Sequence, residues 1–104
     1  MILRSPAVAG SFYPDNPELL RREVEGYLGG KQHVAVNDIK PKALVVPHAG
    51  YYYSGAVAAD AYRLIKGETF DLVVVLAPSH QHYFTGASIY SIGNYATPLG
   101  EIEV

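Results

Sequence analysis

Two short, wholly apolar runs constrain this chain most. Residues 43–46 read Ala-Leu-Val-Val and residues 72–76 read Leu-Val-Val-Val-Leu. Continuous runs of this length, rich in β-branched residues, have the pattern of strands buried on both faces. Between them lies a segment with helical periodicity. Ser54 is placed to cap a helix over residues 55–66, with Ala58, Ala61, Tyr62 and Ile65 on one face and Gly67 ending it. Residues 42–77 therefore predict a strand–helix–strand unit. Such a crossover joins parallel strands, is nearly always right-handed, and leaves both strands ending at one sheet edge.

The rest of the chain fits an α/β class with a mostly parallel open sheet. Asn16 followed by Pro17 is an N-cap with Pro at the first helical position. Leu20, Val24, Tyr27 and Leu28 then recur at helical spacing until Gly29-Gly30, while Arg21, Arg22, Glu23 and Glu25 fall mostly elsewhere around the helix. A loop is expected from about residue 31 to 41, and a third strand over residues 87–92. At 104 residues the chain has a single-domain length. Its 49% hydrophobic and 17% charged residues are those of a globular protein.

Several classes are disfavoured. A net charge of −2 without a basic stripe gives no footprint for nucleic acid. No apolar run reaches the roughly 18 residues that cross a bilayer, and residues 1–10 lack the pattern of a secretory signal. The absence of cysteine rules out a disulfide scaffold within these residues and fits a cytoplasmic protein.

The predicted strands run into two histidine loops, Pro47-His48-Ala49-Gly50 and Pro78-Ser79-His80. The carboxyl edge of a parallel sheet is where open α/β folds bind ligands. Neutral imidazole is a common ligand for zinc, copper and iron, so His48 and His80 form a candidate metal pair. One such histidine is more often a hydrogen-bonded loop residue; two in matched positions strengthen the metal reading. Two ligands fall short of the usual three or four. His82 is a candidate third ligand or proton carrier, alternatively a solvent-exposed residue; His33 reads as an ordinary loop residue. Ser79 lacks a G-x-S-x-G elbow and reads as a loop-stabilising hydroxyl beside the cleft. Gly50 and Gly55 bracket Tyr51, Tyr52, Tyr53 and Ser54, a loop expected to bring its backbone close to a bound group. Tyr51 and Tyr53 are candidate walls of a substrate or peptide cleft, with at least one tyrosine of the three expected in the core.

Taken together, these motifs resemble the MEMO family. Pro6-Ala7-Val8-Ala9-Gly10-Ser11-Phe12-Tyr13-Pro14 resembles its opening motif. Residues 47–51 with Tyr53-Ser54-Gly55 and Ala58-Ala59 resemble its first histidine loop, Leu76 through Pro78-Ser79-His80 its second, and Thr97-Pro98-Leu99-Gly100 a later turn. The resemblance implies a fold like class III extradiol dioxygenases, which are non-haem iron enzymes, with His48 and His80 at the corresponding metal site. It also implies a third, cysteine ligand beyond residue 104, which is not among these residues. The chain thus reads as the N-terminal portion of one truncated domain, residues 1–104. Three functions follow as expectations: a MEMO-like protein binding a transition metal (iron, copper or zinc); a metal-dependent oxidoreductase with His82 as acid–base; or an interaction module for a peptide, including a phosphotyrosine-type one. Residues 100–104 read as a strand whose exposed edge predicts a homo-oligomer, formed by strand pairing or swapping.

Overall fold

The computed structural model describes residues 2–31 and 40–104. Its elements are β1 (Leu3–Arg4), α1 (Pro17–Leu28), α2 (Tyr51–Tyr62) with a trailing 3-10 turn (Arg63–Ile65), β2 (Asn94–Thr97) and β3 (Gly100–Glu103). The chain is an α/β protein with a three-stranded mixed sheet in the order β1-β2-β3.

The first helix forms where its caps predict. Asn16 Oδ1 accepts from Leu19 N–H at 3.0 Å, Pro17 occupies the first turn, and Glu18 places negative charge at the positive end of the helix dipole. Gly29 closes it, its N–H donating to the Glu25 carbonyl at 2.8 Å. The predicted apolar face is the one turned inward: Leu20 is buried, and Val24, Tyr27 and Leu28 are partly so.

The second helix starts four residues earlier than the sequence suggests. Gly50 stands at its N-cap, so Tyr51, Tyr52 and Tyr53 form the first turn and not a loop. Ser54 does not cap it; its Oγ donates back to the Ala49 carbonyl at 3.1 Å. The residue buried deepest is Ala59, outside the predicted stripe of Ala58, Ala61, Tyr62 and Ile65. The reason is Gly55, where a Cβ would lie 2.7 Å from Tyr27 Cε2. The bare glycine lets the Tyr27 ring sit on the helix, and that turns the Gly55–Ala59 line toward α1.

Arg63 ties the far ends of the two helices together. Its guanidinium donates to the carbonyls of Tyr27 and Lys31 and pairs with Asp60. A cation at the last carbonyls of α1 also complements the negative end of that helix.

The sheet departs from expectation. β1 pairs with β2 in parallel over Leu3↔Asn94 and Arg4↔Tyr95, while β2 and β3 form an antiparallel hairpin across Pro98-Leu99. The predicted turn at 97–100 and the final strand are present; the Thr97 hydroxyl donates to the Gly100 carbonyl at 2.8 Å. The third strand is not at 87–92. It begins after Gly93, whose positive φ of 98° and lack of a Cβ let Asn94 N–H reach the Ile2 carbonyl at 3.0 Å.

Residues 43–46 and 72–76 are not strands here, so the βαβ unit with two adjoining parallel strands does not form among the described residues. A helix closes its hydrogen bonds within its own segment, whereas a strand exists only as part of a ladder. Neither segment has a ladder partner among the described residues, and Val45 and residues 72–76 are highly exposed. No described helix is long and apolar enough to cross a membrane.

Candidate functional site

The two histidine loops meet although the strands preceding them do not pair. His48 Nε2 lies 3.3 Å from His80 Nε2, with ring centroids 5.3 Å apart and planes inclined by 38°. Both residues are exposed. The sequence expectation that these imidazoles converge on one point is therefore matched by their nitrogen atoms.

The His48 loop is braced from two directions. Behind it, α2 begins at once, so His48 stands two residues before the Gly50 cap. Beside it runs the turn built by residues 8–13. The Ser11 and Phe12 N–H groups donate to the Val8 carbonyl at 3.1 and 2.9 Å, and Gly10 N–H donates to the Tyr13 carbonyl at 2.7 Å. This turn aims the Phe12 carbonyl at Tyr51 N–H, 2.8 Å away. One of the free N–H groups that open any helix is thus satisfied by the N-terminal motif. Tyr53 N–H bonds to the Gly50 carbonyl, so the helix start is only partly open to an anion.

On the other side, Ser79 shapes the His80 loop. Its Oγ donates to the His82 carbonyl at 2.6 Å and accepts from His82 N–H at 3.3 Å. This is the backbone-bonding role expected of a loop serine. His82 is exposed. Among the described residues no three His, Cys, Asp or Glu side chains form a group that could hold a metal ion. His33 lies outside the described residues.

The three consecutive tyrosines separate by helical geometry. Tyr51 turns inward, 5.4 Å from the Tyr13 ring and edge-on to Tyr27 at 6.4 Å, and Tyr27 Oη donates to its carbonyl at 2.9 Å. Burial raises the Tyr51 phenol above its ordinary value of 10.0, with Tyr13, Tyr62 and Glu23 adding to the shift. Burial likewise raises Tyr27, reinforced by the charge of Glu23 and a hydrogen bond to it. Tyr52 and Tyr53 point to solvent and pack edge-on to each other.

A cleft of about 320 Å³ opens between the 8–13 turn, α1 and α2, with Phe12, Tyr27, His48, Tyr51, Ala58 and Tyr62 among its walls. Tyr51 lines it as expected; Tyr53 and Ser79 are not among the residues that do. Sequence reasoning had not assigned Phe12, Tyr13 or Tyr27 to this site. The opening motif carried the signal for the first two, since a Gly-Ser-Phe-Tyr-Pro turn must pack against something. The helical period placed Tyr27 inward without indicating what it would touch.

Comparison with known proteins agrees with this arrangement of motifs. The family described as Memo-like protein matches residues 4–104. A MEMO1 family protein of Sulfolobus acidocaldarius is 43% identical, covering 99% of this chain and 40% of the relative. The Aquifex aeolicus member is 41% identical over 100% of this chain and 37% of its own length. That of Methanothermobacter thermautotrophicus is 39% identical over 99% and 39% respectively. The chain thus spans about two-fifths of the length of these relatives. No solved structure matches it. With a match running from residue 4 to residue 104 and identities of this order across almost all of it, the chain belongs to the Memo-like protein family.

Proposed function

We propose that His48 and His80 supply two neighbouring imidazole ligands to a single transition-metal ion. The observation that carries this reading is the 3.3 Å separation of their Nε2 atoms. Imidazole nitrogens bind zinc at about 2.0–2.1 Å, which puts two ligands of a tetrahedral ion about 3.3–3.4 Å apart. Without an ion, the same separation lets one ring donate a hydrogen bond to the other. Two neighbouring imidazoles are a donor pair compatible with zinc, copper or iron.

Held by His48 and His80, such an ion would supply a Lewis acid or, if iron or copper, a redox centre. Within this chain, His48 lines the apolar pocket. Tyr51 and Tyr27 exclude water from the pocket wall, and the Ser79 turn holds the His80 loop in place. His82, two residues beyond His80, is the side chain that would carry a proton if the chain served a metal-dependent oxidoreductase. A second reading draws on the cleft itself. Its aromatic lining suits an apolar peptide side chain, and such binding would survive chelation.

The test is zinc titration of the chain with elemental analysis, alongside His48→Ala and His80→Ala. About one equivalent bound, and lost in either variant, supports the shared site. Binding that persists in both variants overturns it.

A further inference from the structure

We infer that Ser54 and Ser79 are positioning residues, one hydroxyl for each histidine loop, that together preset the spacing of His48 and His80. The inference rests on the two-imidazole reading and deepens it: affinity at the pair depends on two side chains that are not themselves ligands.

The starting point is what the rings lack. A metal-binding histidine usually donates its other ring N–H to a carboxylate or carbonyl, which fixes the ring. Here the two Nε2 atoms face each other, and among the described residues neither ring has a hydrogen-bond partner at its second nitrogen. The rings are therefore aimed by the backbone that carries them.

Each of those backbones is pinned by one serine. Ser79 Oγ donates to the His82 carbonyl at 2.6 Å and accepts from His82 N–H at 3.3 Å. Both bonds close the segment that carries His80 across its base. Ser54 Oγ donates to the Ala49 carbonyl at 3.1 Å, fastening the residue after His48 to the start of α2. That helix start is itself anchored, since Tyr51 N–H donates to the Phe12 carbonyl and Tyr27 Oη to the Tyr51 carbonyl. Ser54 N–H bonds to the Gly50 carbonyl at 3.1 Å without help from the side chain. Ser54→Ala therefore releases the loop and keeps the helix, in which alanine is the better residue. Re-fixing the backbone of one released residue should weaken binding about 10-fold.

Zinc affinity is measured for the chain, Ser54→Ala, Ser79→Ala, Ser54→Thr and Ser79→Thr, with the urea midpoint of the helical signal followed in each. Backbone amide order parameters of His48 and His80 are measured in chelator. Each alanine variant should bind zinc about 10-fold more weakly at an unchanged midpoint, and threonine should restore the affinity. The order parameter of the histidine in the altered loop alone should fall from about 0.85 to below about 0.6. Affinity unchanged in both alanine variants overturns the inference, as does a loss that threonine does not repair. If the chain binds no zinc, the two-imidazole reading fails and the order parameters still decide: a fall confined to the altered loop supports positioning, and no fall overturns it.

Discussion

The helical pair and the apolar segments contrast sharply, although both carry strong sequence signals. Around α1 and α2 almost every signal has a partner within the described residues: local ones in Asn16 for Leu19 and Gly29 for Glu25, distant ones in Phe12 for Tyr51 and Gly55 for Tyr27. Residues 43–46 and 72–76 carry the most emphatic pattern in the chain and find no partner among the described residues. The difference teaches where fold information resides. A helix and its cap are specified within a few residues, whereas a strand's pattern specifies a requirement that another segment has to meet.

This contrast predicts that substitutions hurt the helical pair and spare the apolar segments. The largest effect belongs to Gly55→Val. Its branched side chain overlaps the Tyr27 ring and should cost about 3 kcal/mol, read by urea unfolding of the helical signal. A cost near zero would mean that the two helices are not packed through this contact.

Tyr27→Phe comes next, at about 1.5 kcal/mol, because it removes the donor to the Tyr51 carbonyl. This residue also gives the pair a pH limit. Tyr27 and Tyr51 both have phenols raised above 10.0, so the folded state holds its protons more tightly than the unfolded state. Stability is full below pH 10.0 and should fall as pH rises through the raised values. Unfolding midpoints measured from pH 8 to 11 should show the decline, and Tyr27→Phe should flatten it. A profile level through that range would contradict the buried phenols.

Asn16→Ala should cost about 1 kcal/mol by removing the α1 cap, again read from the unfolding midpoint. Smallest of all, Val45→Lys at a 98% exposed position should change the stability of this chain by no more than about 0.5 kcal/mol. A large loss there would show that residues 43–46 are already paired.

The same contrast explains what was legible in the sequence. Asn16-Pro17 and Gly29 fixed α1 to the residue because capping is local chemistry. At α2 the serine was a poor guide: Ser54 bonds to Ala49, and the helix starts earlier because Phe12 receives the Tyr51 N–H from 39 positions away in the chain. The tyrosine run read as a loop since no periodicity within it distinguishes a first helical turn. The β1–β2 pairing depends on Gly93 admitting the Ile2 carbonyl, a contact across most of the chain that no local pattern encodes. The histidine pair was legible through its motifs, yet it meets without the adjoining strands used to argue for it.

The most direct test of the metal reading is a double-variant comparison. Zinc affinity is measured for the chain, His48→Ala, His80→Ala and the variant carrying both changes. If the two imidazoles hold one ion, either single change should remove nearly all of the affinity lost in the double variant, because one remaining ligand cannot hold the ion alone. Losses that simply add, or affinity retained with both histidines gone, would contradict a shared site.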